Sequence, residues 1–168
     1  MANPEQKGIE WLQSLLAFQG IETKVDASLV DDEFGSSLWL IIRDAQLSDQ
    51  EIAKLIGEQG HALDAIQYLA NTTLNLGCDP GEQQPYTIEL AGHRTKRKSE
   101  LMALATEAAT TAQETGEEFE MVALSSAERR QVHHFLNSYE GLETFSRGRE
   151  PDRRLVVRQL ADSNTESD

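Results

Sequence analysis

The sequence predicts an α+β protein made of two small modules. Three observations carry that expectation. Segments with helical apolar spacing alternate with short β-rich runs, two Ser-x-x-Glu capping boxes start helices at Ser48 and Ser125, and a pair of glycines cuts a helical pattern at residues 57–60. At 168 residues the chain is long enough for two small units, each with its own core.

The elements follow in order. Ile9, Leu12, Leu15 and Leu16 share a helix face that ends at Gly20, where β-branched residues take over. "GIETKVDASLVDD" and "SLWLIIRD" read as two strands, with Asp31, Asp32 and Gly35 marking a hairpin turn. Ser48 with Glu51 opens a short helix that stops at Gly57. A second helix resumes after Gly60, with Leu63, Ile66, Leu69 and Leu74 as its apolar residues. "YTIELAGH" is a third strand, and "KSELMALATEAATTAQETG" is an alanine-rich helix ended by Gly116. The first domain is placed at residues 8–116. In the second, residues 117–160, the strand "EFEMVAL" precedes a helix capped by Ser125 and Glu128 and striped by Val132, Phe135, Leu136 and Tyr139. The loop "SRGREPDRR" and the strand "LVVRQL" complete it, and residues 161–168 are expected to form a disordered acidic tail.

The formal charge is −14, but it is unevenly spread: residues 1–92 hold 4 basic and 15 acidic side chains, residues 129–158 hold 7 arginines and 4 acids. A polyanion would therefore meet the C-terminal third. The single cysteine, Cys78, has no partner for an intramolecular disulfide, and the four histidines lack metal-ligand spacing. No leader-like segment and no apolar run of membrane-spanning length occurs, so a cytoplasmic protein without membrane attachment or cofactor is expected.

Gly57, Glu58, Gln59 and Gly60 fit a GxxG turn between two helices, preceded by Leu55 and Ile56. Glycine at both ends lets a nucleic-acid backbone come close, and the following helix places its positive end beneath it. Helix, strand, strand, helix, GxxG, helix, strand is an order that resembles a type II KH domain. That resemblance implies a loop that clamps single-stranded RNA, with Lys54, Ile56, Gly57, Glu58, Gln59, Gly60 and Leu63 as the candidate contacts. Glu58 stands out because it repels phosphate at the point of closest approach.

In "ERRQVHHFLNSY", Arg129 pairs with His133 and Arg130 with His134, each four residues apart on one helix face. Arg129 and His133 flank the apolar stripe, whereas Arg130 and His134 point to solvent. An arginine held beside a half-buried imidazole makes a phosphate-binding corner. The Arg129–His133 spacing, together with "TFSRGREPDRRLVVRQL", resembles the R-three-H nucleic-acid-binding domain. Its nucleic-acid candidates here are Arg129, Arg130, His133, Arg147, Arg149, Arg153 and Arg154. From about Gly8 to Leu160 the chain then resembles the KH and R-three-H portion of the bacterial Jag (SpoIIIJ-associated) family, with the family's separate N-terminal domain expected to be missing.

The resemblance implies a non-enzymatic binder of single-stranded RNA, or of single-stranded DNA, acting as a post-transcriptional regulator or RNA chaperone. "HRTKRK" adds Arg94, Lys96, Arg97 and Lys98 as candidate phosphate contacts just ahead of the alanine-rich helix. The alternative is an adaptor whose acidic KH-like surface docks a protein partner or a homo- or heterodimer mate.

Overall fold

The computed structural model describes residues 3–32 and 35–160. The expected hairpin tip at residues 33–34 and the acidic tail at 161–168 lie outside the described residues. The chain divides into two compact units between Thr95 and Lys96.

The first unit runs α1 (Pro4–Phe18), β1 (Val25–Asp32), β2 (Gly35–Ile42), α2 (Asp49–Ile56), a single 3-10 turn (Glu58–Gly60), α3 (His61–Leu74) and β3 (Tyr86–Leu90). β2 is central, antiparallel to β1 and parallel to β3. Leu38, Leu40 and Ile42 therefore align with Tyr86, Ile88 and Leu90 on one face. There they are buried with Leu12 and Leu16 of α1 and Leu63, Ile66 and Ala70 of α3. The strong apolar run of β2 is what a middle strand between two neighbours requires. Gly8 sits where α1 crosses this layer: a Cβ would lie 2.9 Å from the Tyr86 ring and 3.0 Å from Leu40.

The second unit contains most of α4 (His93–Thr115), then β4 (Phe119–Met121), α5 (Ser126–Leu136), β5 (Leu142–Arg147) and β6 (Arg154–Gln159). Its antiparallel sheet has the order β4-β6-β5. Ala105, Ala108, Ala109 and Ala112 of α4 are fully buried, against a core shared with Met121, Val132, Leu136, Leu155 and Val157.

Three expectations change here. The alanine-rich helix packs with the second unit rather than the first, because its apolar residues are small and lie flat against the α5 and β6 core. It begins at His93, so the "HRTKRK" cluster forms its opening turns instead of a preceding loop. The buried carboxylate of Glu89 makes this start feasible, accepting from the amides of Arg94 at 3.3 Å and Thr95 at 3.4 Å. Finally, residues 142–147 form a strand that the sequence reading leaves as connection. Its mixed, mostly polar composition hides the alternation that pairing with β6 reveals.

Candidate nucleic-acid interface

Helix α5 positions the site. Ser125 accepts from the Glu128 amide while the Glu128 carboxylate accepts from the Ser125 amide, closing the expected capping box. The Glu128 carboxyl is held below its ordinary value of 4.5. Burial pushes it up, but the hydrogen bond from Arg97, 2.7 Å away, and the one from the Ser125 amide outweigh burial. With the first turn fixed, Val132 and Leu136 point into the core and Arg129, Arg130 and His133 line one cleft.

The cleft has a volume of about 300 Å³ and is completed by Ser126, Phe145, Ser146, Arg153 and Leu155. β5 is an edge strand, so residues of both its faces reach the rim. His133 and Arg130 are exposed, and the His133 Nδ1 is hydrogen-bonded to Thr144 Oγ1 of β5, which fixes the ring's orientation. Arg153 is exposed, and like Arg149 on the same loop it makes no ion pair among the described residues. Arg129 differs from both. It is 5% exposed, and its guanidinium donates to the carbonyls of Leu124 and Arg153, to Ser126 Oγ and to the Glu150 carboxylate.

Arg147 and Arg154 do not join the cleft. They are cross-strand partners on the other face of the sheet, where two adjacent cations would repel. Glu120 bridges them at 2.8 and 2.7 Å, and Glu118 binds Arg147 at 2.7 Å and Arg158 at 3.4 Å. Phe145 lies between Arg147 and Arg158, whose guanidinium carbons stand 5.4 and 4.9 Å from its ring centre. Hydrogen bonds from Arg147 hold the Glu118 carboxyl below its usual range, and those from Arg154 and Arg147 do the same for Glu120. This lattice balances three arginines against glutamates and leaves little net charge for a phosphate.

The "HRTKRK" cations are also largely engaged. Arg94 donates to Asp64 at 2.9 Å and to the Ile88 carbonyl at 2.7 Å, Arg97 binds Glu128, and Lys96 is 4.0 Å from Glu100. Lys98 is exposed.

In the first unit, Gly57 has φ 73° and Gly60 φ 84° around an exposed Glu58 and Gln59. A Cβ at Gly57 would lie 2.7 Å from that of Ala62, and one at Gly60 2.7 Å from His93 Nε2, so both positions are closed to other residues by space as well as by φ. Lys54 is exposed and Ile56 partly so, while Leu63 is fully buried and belongs to the core rather than to a contact surface. Among the described residues no group of three or more His, Cys, Asp or Glu could hold a metal ion, and no helix is long and apolar enough to cross a membrane.

Sequence reasoning missed Phe145, Thr144 and the two serines of the cleft. Their placement depends on β5, whose sequence carries no clear strand signal.

The fold and cleft of the second unit have a counterpart among known families: residues 99–159 match the R-three-H domain, so the chain is an α+β protein carrying that domain. Beyond the domain, the chain is similar to proteins named RNA-binding protein KhpB. It is 30% identical to that of Bacillus subtilis (strain 168) over 113 residues, 66% of this chain and 53% of the relative. It is 26% identical to that of Clostridium symbiosum over 153 residues, 91% of this chain and 65% of the relative. For Streptococcus pneumoniae serotype 2 the figures are 29% over 134 residues, 79% and 38%. The matches thus span between about a third and two thirds of these relatives' lengths.

Proposed function

We propose that the protein binds single-stranded nucleic acid, RNA in the first instance, through the α5 cleft of its R-three-H domain. The observation that carries this reading is the meeting of Arg130, His133 and Arg153 around one cleft. Guanidinium groups there can take phosphate oxygens, the oriented imidazole adds a donor, and the Phe145 edge offers an apolar contact. RNA as the ligand is supported by the names of the relatives.

We further propose that the first unit is a type II KH-like module that engages the same ligand. Its element order and two obligatory glycines support this, while Glu58 weakens the loop's hold on phosphate. Arg147 and Arg154 contribute little, being neutralised on the far sheet face.

Fluorescence anisotropy with a short labelled single-stranded RNA, and the same sequence as DNA, tests this at two salt concentrations. Affinity should fall steeply with salt, with a slope of about −0.7 per phosphate neutralised. Replacing Arg130 and Arg153 together by Ala should weaken binding roughly tenfold or more and flatten that slope, whereas Arg147→Gln should change binding less than about twofold. Glu58→Lys should tighten it if the glycine loop touches the strand. No binding by the wild type at low salt would end the proposal.

A further inference from the structure

Building on the binding reading above, we infer that Arg129 and Glu150 are positioning residues. They hold the 148–153 loop against the start of α5 so that Arg153 stays at the cleft, and neither touches the nucleic acid.

The Arg129 side chain is 6% exposed. Its Nη1 donates to the Leu124 carbonyl at 2.8 Å and the Arg153 carbonyl at 3.3 Å, and its Nη2 to Ser126 Oγ at 3.0 Å and to the Glu150 carboxylate. A guanidinium has five N–H donors in a fixed plane, and four contacts already use this one. Two of the acceptors belong to the start of α5 and two to the loop, so the side chain is a staple between them. A phosphate contact needs a fork aimed outward, and this fork aims inward.

Glu150 explains itself on the same terms. Its side chain is 57% exposed beside a cleft meant for a polyanion, where a carboxylate should only repel. It is retained as the counter-ion of a buried cation, which would otherwise be left uncompensated. The loop is tight as well: Gly148 has φ 86°, and a Cβ there would lie 3.3 Å from the Asp152 carbonyl. Holding Glu150 therefore holds Arg153 three residues on.

The two roles predict opposite signs for Glu150→Gln. If Glu150 merely repels phosphate, removing its charge tightens RNA binding. If it positions the loop, binding weakens although a negative charge has been removed. Anisotropy with short labelled single-stranded RNA should show Glu150→Gln binding roughly three- to tenfold more weakly, with a flatter salt dependence. Circular dichroism should show it folded, since the site is exposed; Arg129→Ala is a poorer test because it leaves a buried cavity and unpaired carbonyls. In a double-mutant cycle, Arg153→Ala should cost less in the Glu150→Gln background than in the wild type. Tighter or unchanged binding by Glu150→Gln, or full additivity with Arg153→Ala, overturns the positioning role while leaving the binding reading intact. Failure of the wild type to bind overturns both.

Discussion

At Gly60 two independent restraints coincide: φ is 84°, and a Cβ would lie 2.7 Å from His93 Nε2. Gly60→Ala should therefore destabilise the first unit by about 1–3 kcal/mol, read as a lower urea midpoint. His93→Ala in the same chain should recover the steric part but not the backbone part. Single residues also show how position overrides type. Arg129 and Arg153 are chemically identical, yet one is buried with its donors spent on carbonyls, a hydroxyl and Glu150, while the other stands exposed on the cleft. Helical spacing alone can put Arg129 beside the apolar stripe; it cannot say which acceptors will close around its guanidinium, because Glu150 and the Arg153 carbonyl arrive from a loop more than twenty residues away.

Among the elements, α5 shows how a local signal is tied into the fold. Its capping box was readable from Ser125 and Glu128, but the same Glu128 carboxylate also receives Arg97 from α4. The folded carboxyl lies below its ordinary 4.5, so the unfolded chain takes up this proton first on acidification. Stability from this group is thus fully present above about pH 4.5 and is lost as pH falls through the lower folded value. Glu128→Gln should melt below the wild type at pH 7, and the gap in Tm should shrink as thermal melts are repeated toward pH 3. A gap independent of pH would show that the carboxylate charge contributes nothing. Strand β5 is the counter-example. Its residues 142–147 mix Leu, Thr and Phe with Glu, Ser and Arg, so only the ladder with β6 makes them a strand.

For the whole molecule, two separate cores belong to the two sides of the Thr95–Lys96 boundary. Because four fully buried alanines of α4 belong to the second core, a fragment of residues 96–160 should fold by circular dichroism and keep salt-dependent RNA binding. One of residues 117–160 should not fold, since it loses a wall of that core. Cooperative unfolding of the shorter fragment would restore the boundary first read at residue 116. The sequence by itself determined the α+β class, both capping boxes, the glycine turn and the charge asymmetry, since each depends on residues within a few positions of one another. Only the tertiary structure decided which unit takes the alanine helix, which arginines are neutralised by Glu118 and Glu120, and which reach the cleft. Those outcomes are set by partners far along the chain, and spacing within one element carries no information about them.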